Sequence, residues 1–281
     1  MPRLPETALL TSLALVAFAS NSILTRLALG GGQMDAATFT TVRLAAGAIV
    51  LAALVRVQHQ ASRAGTSRGF VGPVALFAYA APFSFAYVRI GAAAGALLLF
   101  GAVQITMIGR GIATGERPGF RGWAGIVLAA AGLAWLTLPA VGRPDPIGCA
   151  LMIGAGCAWG VYSLAGRRAG DALAANARSF VWAIPLALLL NVVALPSVVV
   201  TARGVILAAV SGAITSGLGY AIWYRALRGL SATQAAILQL GVPVIAAIGA
   251  VVVLHESVNP RLALASLAVI GGVALVLSVR R

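Results

Sequence analysis

The chain consists of long apolar runs separated by short segments rich in Gly, Pro and charged residues. Ten runs of roughly 20 mainly apolar residues are present, at Thr7–Leu29, Ala36–Val57, Phe70–Val88, Ala92–Ile112, Gly122–Leu138, Pro146–Ala165, Ala174–Leu195, Val205–Ala226, Ala232–Leu254 and Leu262–Val279. A helix of about 20 apolar residues crosses the roughly 30 Å hydrocarbon core of a bilayer. The pattern therefore predicts an all-α integral membrane protein with ten transmembrane helices.

Composition agrees with lipid as the solvent for most of the chain. Hydrophobic residues make up 60% of the sequence and charged residues 9%, with a mean hydropathy of +0.99. A water-soluble domain carries about 25% charged residues. The first run is as long as a membrane span and lacks a convincing small-residue cleavage site, so it is interpreted as a helix rather than a signal peptide.

The basic residues indicate the orientation of the predicted helices. All 20 are Arg, and they occur singly or in pairs between apolar runs, so the net charge of +14 does not predict a nucleic-acid partner. With the N-terminus inside, fourteen fall on the inner side and five on the outer side, namely Arg26, Arg89, Arg143, Arg203 and Arg261. This asymmetry predicts a multi-pass membrane protein with both termini in the cytoplasm.

The two halves of the sequence resemble each other. Gly101–Glu116 aligns with Gly241–Glu256, which lies 140 positions later, and the chain divides into units 1–140 and 141–281. Each unit contains five predicted helices, an odd number, so the two units would enter the membrane from opposite sides. We therefore expect two inverted five-helix repeats around a central cavity, with a substrate site near the bilayer midplane.

Polar and aromatic side chains in the middle of the apolar runs are the candidates for that site. A polar group in hydrocarbon either makes an interhelical hydrogen bond or faces a cavity, and both interpretations remain open. The residues predicted to bind substrate are Asn21, Tyr79, Phe83, Gln104, Trp159, Tyr162, Tyr220 and Gln239. Trp159 lies too deep in its run for an interfacial aromatic belt, whereas Trp223 and Tyr224 are consistent with one.

Four further residues are predicted to have gating or structural roles. Arg43 is the one charge clearly inside a predicted helix, and structural hydrogen bonding is favoured over contact with a substrate carboxylate. Pro243 removes a backbone hydrogen bond near mid-membrane and is a candidate for a gating bend or for shaping the cavity. Glu116 and Glu256 occupy equivalent positions in the repeat and are expected to cap or pin the turns that follow them.

No catalytic residue, metal site or cofactor is predicted. His59 and His255 have no partners at metal-ligand spacing, and the sequence holds no HExxH motif or phosphate-binding loop. A membrane enzyme is therefore a weaker alternative, as is a channel, which needs a ring of charges or carbonyl groups. All six acidic residues lie at the ends of runs or in loops, which disfavours a carboxylate relay for protons.

A set of short motifs, mostly in the second half, matches a known transporter pattern. The motifs are Trp159-Gly160, Gly219–Leu227, Ser231–Ala236, Pro243 and Glu256, with Arg43 and Glu116 in the first half. The first half departs from the pattern where Phe18-Ala19 replaces Trp-Gly and Val103 replaces the proline. On these residues the chain resembles the EamA branch of the drug/metabolite transporter superfamily, and within it the YddG-type amino-acid exporters.

The resemblance implies ten helices around a central cavity and export across the bacterial inner membrane. The exported compounds would be amino acids, aromatic or other neutral ones, and related metabolites. The mechanism expected is alternating access, by facilitated diffusion. The alternative is export of another small metabolite or a cationic drug, coupled to an ion gradient. The expected partners are the small-molecule substrate and the lipid bilayer, and the protein is expected to be a monomer or a homodimer.

Overall fold

The computed structural model describes residues 4–57, 69–90, 92–138, 145–194, 198–254 and 260–278. Ten helices run through this part of the chain. They are α1 (Leu4–Thr25, continued by the π-helical Arg26–Gly30), α2 (Ala36–Val57), α3 (Val71–Tyr87), α4 (Ala92–Ala113), α5 (Phe120–Thr137), α6 (Pro146–Arg167), α7 (Ala172–Ala194), α8 (Ala202–Val210, the π-helical Ser211–Leu218 and Gly219–Leu227), α9 (Ala232–Leu238 and Gly241–Leu254) and α10 (Pro260–Ser278).

The helices coincide with the predicted apolar runs to within a few residues. Seven of them are long and apolar enough to cross a membrane, whereas α3, α5 and α10 give shorter apolar helices, Val71–Tyr87, Phe120–Leu136 and Ala263–Ser278. The outer surface of the bundle is itself apolar, since Ile49, Ile105 and Leu267 are 70%, 77% and 69% exposed. Large exposed aliphatic side chains of this kind are stable against lipid and unfavourable against water.

The packing of the helices places α1, α3, α6 and α8 around the centre. In the described structure α3 packs on α6 and α7, α4 packs on α6, and α1 packs on α8 and α9. Helix α2 packs on α7 and α8, and α5 and α10 pack on each other away from the centre.

Glycines allow the closest of these helix contacts. A Cβ atom on Gly212 of α8 would lie 2.1 Å from the backbone oxygen of Arg43 on α2, so the two backbones touch where a side chain would prevent it. Gly212 and Ser216, one helical turn apart, therefore both face α2. Since lipid provides no hydrophobic drive for helix association, such backbone proximity is a main source of attraction between helices.

Helix α9 is broken at Gln239 and Leu240, three residues before Pro243. The α-helix Ala232–Leu238 ends in a turn at Gln239, and a second helix begins at Gly241. Pro243 is therefore in the first turn of Gly241–Leu254, where its missing N–H removes no bond from the helix interior.

Contacts between loops and helix ends connect the two halves of the chain at both ends of the bundle. At one end, which we call the Met34 end, Met34 pairs with Val200 in an isolated antiparallel bridge. Beside this bridge the N–H of Asp35 donates to the carbonyl of Val199 at 2.9 Å. At the opposite end, the Glu116 end, the Glu116 carboxylate accepts from the backbone N–H groups of Ala232 at 2.7 Å and Thr233 at 3.0 Å.

Candidate functional site

A cluster of aromatic side chains from four helices fills the centre of the bundle. Trp159 of α6 is its hub, because its ring centroid lies 5.2 Å from that of Phe18, 4.9 Å from that of Tyr79 and 4.7 Å from that of Tyr220. Phe83 of α3 packs on Tyr79 at 5.3 Å. All five side chains are buried.

A small cavity lies within this cluster. Its volume is about 20 Å³, and it is lined by Phe18, Asn21, Ser22, Tyr79, Phe83, Leu99, Phe100, Trp159, Tyr220 and Val242. A single water molecule needs a cavity of at least about 10–15 Å³. The cavity is thus large enough for a water molecule and too small for an amino acid, so the structure is closed at its centre.

Five of the eight residues predicted to bind substrate line this cavity, and three do not. The five are Asn21, Tyr79, Phe83, Trp159 and Tyr220. Gln104, Tyr162 and Gln239 lie outside its lining and make interhelical hydrogen bonds around it. Gln104 Nε2 donates to the carbonyl oxygen of Ala236 at 2.6 Å, and among the described residues its Oε1 has no partner.

Gln239 and Tyr162 hold the surroundings of Trp159 in place. Gln239 Oε1 accepts from Trp159 Nε1 at 2.5 Å, which fixes the indole ring against the break in α9. The hydroxyl of Tyr162 donates to Asn176 Oδ1 of α7, and its ring packs on Trp159 with centroids 5.6 Å apart.

Arg43 is buried beside the cavity and is held by neutral groups. Its Nε donates to Ser216 Oγ at 2.8 Å, and its Nη2 donates to the hydroxyls of Tyr220 at 2.5 Å and Tyr79 at 3.5 Å. The guanidinium carbon lies 5.5 Å from the centroid of the Tyr79 ring and 5.8 Å from that of Phe83. Among the described residues Nη1 has no hydrogen-bond partner.

The π-helical part of α8 provides several of the polar contacts around the cavity. Ser211 Oγ and Thr215 Oγ1 donate to Asn21 Oδ1 at 2.7 and 3.2 Å, while the carbonyl of Gly217 accepts from Asn176 Nδ2 at 2.9 Å. A π-helical turn widens the helix and is frequent at functional sites. This segment therefore joins α1, α2 and α7 at the depth of the cavity.

A larger and more polar vestibule lies between the cavity and the Glu116 end. It has a volume of about 890 Å³, and its lining includes Arg110, Arg167, Arg168 and Arg178. Tyr224 also lines it, and the Tyr224 hydroxyl donates to the carbonyl oxygen of Tyr162 at 3.1 Å. Because the Tyr162 ring packs on Trp159, an aromatic layer divides the vestibule from the central cavity.

Glu116 has a structural role, but the segment that it caps is not the one predicted from the sequence. It caps the N-terminus of α9 rather than the turn that follows it, and it pairs with Arg167 Nη1 at 3.4 Å. Burial alone would raise the pKa of its carboxyl, but the backbone N–H groups of Thr233 and Ala232, together with smaller contributions that include Arg167, lower the pKa below its usual value. The equivalent Glu256 lies outside the described residues.

Comparison with known proteins identifies the family. Residues 146–278 match the EamA-like transporter family. An uncharacterised protein of Pseudomonas aeruginosa is 47% identical over 275 residues, which cover 98% of this chain and 96% of that protein. The chain belongs to the EamA-like transporter family. A protein of known crystal structure matches with a TM-score of 0.83 at 20% identity, covering 98% of each chain, which indicates a shared fold.

Membership in the EamA-like family makes this chain a multi-pass membrane transporter. The family is one of transporters, which favours transport over the membrane-enzyme alternative. For an EamA-like transporter, the central aromatic cavity and the vestibule that leads toward it are the natural candidates for the substrate pathway.

Several residues of the site were not predicted. Ser216 and Ser211 are single small polar residues in a Gly- and Ala-rich run, and Asn176 lies near the start of its run, so no pattern distinguished them. Trp223 and Tyr224 are 0% and 2% exposed and donate to Ser163 and Tyr162, so they are core residues rather than interfacial anchors.

Proposed function

We propose that this EamA-like transporter exports amino acids across the bacterial inner membrane by alternating access and facilitated diffusion. The observation that carries the proposal is the central cavity, enclosed by aromatic rings from α1, α3, α6 and α8 and closed to about 20 Å³. An amino acid fits only after these helices separate, which is the behaviour expected of a transporter and not of a permanently open pore.

Contacts between equivalent residues support two inverted repeats. At an offset of 141 positions Phe18 corresponds to Trp159 and Tyr79 to Tyr220, and in each pair the two side chains meet: the ring centroids are 5.2 Å apart in the first and the hydroxyls 3.5 Å apart in the second. Residues contact their own equivalents only near a two-fold axis. The cavity lies where that axis would pass.

The pattern of helix neighbours supports the same arrangement. If the two halves are equivalent, helices α1–α5 correspond to α6–α10. The contact of α3 with α6 then corresponds to that of α8 with α1, and the contact of α4 with α6 to that of α9 with α1. All four contacts are observed. The contacts of α2 with α7 and of α5 with α10 each join a helix to its own equivalent in the other half. Ten membrane spans in two five-helix units, 1–140 and 141–281, are the simplest account of this pattern.

The orientation that follows from the Arg residues places the Glu116 end and its vestibule in the cytoplasm. Substrate enters this vestibule, passes the layer of Tyr162 and Tyr224, and reaches the aromatic cavity. Release requires opening at the Met34 end, where loops of the two halves are joined. The aromatic lining favours an aromatic or other large neutral amino acid, because ring–ring contacts add to the burial of its side chain.

Facilitated diffusion is proposed because no described helix carries a carboxylate beside the cavity. Such a carboxylate would be needed to bind and release protons during proton-coupled transport. Downhill export needs no coupling ion.

The test is transport by purified protein in liposomes loaded with a panel of labelled amino acids, with and without a pH gradient. Saturable efflux of at least one neutral amino acid, independent of the gradient, is expected. Absence of saturable flux for every amino acid overturns the substrate, and strict dependence on the gradient overturns the mechanism.

A further inference from the structure

We propose that the Arg43 guanidinium is the binding group for the carboxylate of the substrate, and that Tyr79 and Tyr220 occupy it while the cavity is closed. The inference rests on the proposed function, since it assigns a substrate group to the same cavity. It goes beyond the structural role that the sequence favours for Arg43.

The first argument is charge. Arg43 is 1% exposed, and every hydrogen-bond acceptor that it contacts is a neutral hydroxyl. Among the described residues, the carboxylates bond elsewhere, at helix ends and loops: Glu6 to Arg225, Asp35 to Val199, Glu116 to Arg167, Asp145 to Arg89 and Asp171 to Leu173. A buried cation without a counter-ion is unfavourable, and the faces of Tyr79 and Phe83 compensate only part of the cost. An anionic ligand would supply the missing charge.

The second argument is the geometry of the guanidinium. Ser216 takes the Nε, which leaves the two terminal nitrogens for other partners. Nη2 is bonded only to tyrosine hydroxyls, and among the described residues Nη1 is unbonded. Two terminal nitrogens of one guanidinium form the pair of parallel donors that a carboxylate accepts in a bidentate manner. The neutral acceptors present in the closed structure are a weaker match to this fork.

The third argument is position. Tyr79 and Tyr220 both line the cavity, so a single layer of hydroxyl groups separates its interior from the charge of Arg43. The two tyrosines belong to different helices, α3 and α8, and their hydroxyls are 3.5 Å apart. Separation of α3 from α8 would enlarge the cavity and at the same time release Nη2. Opening of the cavity and exposure of the charge are therefore one event.

A consequence for selectivity follows from the sign of the charge. A compound that carries only a positive charge would be repelled by Arg43, although the aromatic walls alone would accept a cation. A zwitterionic amino acid brings its carboxylate to Arg43 and keeps its side chain among the rings. This selects amino acids over decarboxylated amines and cationic drugs.

The test compares an amino acid with its carboxamide, which differs only in the group that Arg43 would bind. The amino acid that the wild-type protein transports in liposomes is measured against its amide, in wild type, Arg43→Gln and Arg43→Lys. Arg121→Gln is the matched control, because Arg121 is an exposed arginine on α5, remote from the cavity. Loss of a charge-assisted bidentate contact should lower the amino-acid-to-amide flux ratio about 10- to 100-fold in Arg43→Gln.

The flux ratio separates recognition from stability. A structural role for Arg43 would reduce both fluxes together, so an unchanged ratio in a folded Arg43→Gln protein overturns the proposal. If that variant does not fold, the Lys variant decides: it keeps the charge and loses the fork, so its ratio should fall by less but measurably, and an unchanged ratio again overturns it.

A binding measurement keeps the inference testable apart from the proposed function. If the wild-type protein transports no amino acid, the proposed function fails, and benzoate is then compared with benzamide in thermal unfolding. Benzoate should raise the Tm of wild type and Arg121→Gln, raise that of Arg43→Lys by less, and leave that of Arg43→Gln unchanged. Equal effects of benzoate and benzamide on wild type would overturn the anion site.

Discussion

The hydroxyl groups of Tyr79 and Tyr220 lie 3.5 Å apart and share Nη2 of Arg43 as their donor. The two tyrosines are 141 positions apart in the sequence and come from α3 and α8. Their contact brings the two halves of the chain together at one buried charge. The relative position of the halves and the hydrogen bonding of Arg43 are therefore linked.

Replacement of Trp159 by Ala should reduce transport strongly. The change removes the ring that contacts Phe18, Tyr79 and Tyr220 and leaves Gln239 Oε1 without its donor. We expect a flux at least about tenfold lower, equivalent to about 1.4 kcal/mol, and a loss of stability of about 3–5 kcal/mol. Efflux from liposomes and thermal unfolding measure the two effects.

Trp182→Ala is the matched control for Trp159, because Trp182 of α7 is 53% exposed on the outside of the bundle. It should transport at nearly the wild-type rate. Trp159→Phe, which keeps an aromatic ring, should fall between the two. Wild-type flux in a folded Trp159→Ala protein would remove this residue from the pathway.

The helices could be predicted from the sequence because each apolar run is long and bounded by Gly, Pro or Arg. The roles of Asn21, Gln104 and Gln239 could not, because a polar residue at mid-helix faces either a cavity or a neighbour according to the rotation of its helix. Rotation is set by packing such as the contact of Gly212 with α2, and apolar composition does not encode it. Asn21 lines the cavity and also bonds to α8, whereas the two glutamines lie outside the lining and bond to neighbouring helices.

The register of the repeat shows the same limit. Aligned at 140 positions, Tyr220 faces Ala80, and at 141 it faces Tyr79, which is the residue that it contacts. A difference of one residue turns a helix by about 100°. Residue pairs inferred from a repeat therefore indicate the depth of a residue in the membrane more reliably than the direction in which its side chain points.

Gly212→Ala should destabilise the protein although alanine is the better helix former. The added Cβ would lie 2.1 Å from the backbone oxygen of Arg43, so α2 and α8 must separate. Overpacking of this kind costs about 1–3 kcal/mol. Gly154→Ala is the control, since a Cβ on Gly154 meets nothing within 4 Å. Thermal unfolding should show a lower Tm for the first variant only, and an equal Tm for both would show that α2 and α8 do not pack as described.

Glu116→Gln should reduce the loss of folding stability that occurs as the pH is lowered into the acid range. The folded-state pKa of Glu116 is below its usual value of 4.5, so its carboxylate stabilises the fold above pH 4.5 and loses this effect as the pH falls through the lowered pKa. The glutamine variant should be less stable than wild type at neutral pH and approach it in acid. Unfolding of both proteins across this range tests the sign, with Glu6→Gln, a partly exposed carboxylate paired with Arg225, as the control. A constant difference between variant and wild type at every pH would contradict the role of the charge.

A disulfide between residues 34 and 200 should stop export, if the Met34 end has to open. Met34 and Val200 form an antiparallel bridge, and residues paired in this way have Cα atoms about 4.5–5.5 Å apart, within the range of about 4.4–6.8 Å that a disulfide needs. The double variant Met34→Cys and Val200→Cys is made with Cys149 and Cys157 replaced by Ala. Efflux should fall in proportion to the fraction crosslinked and return after reduction, while each single Cys variant stays active under oxidation. Full flux through completely crosslinked protein would mean that substrate leaves without separation of these two loops, and alternating access through the Met34 end would have to be abandoned.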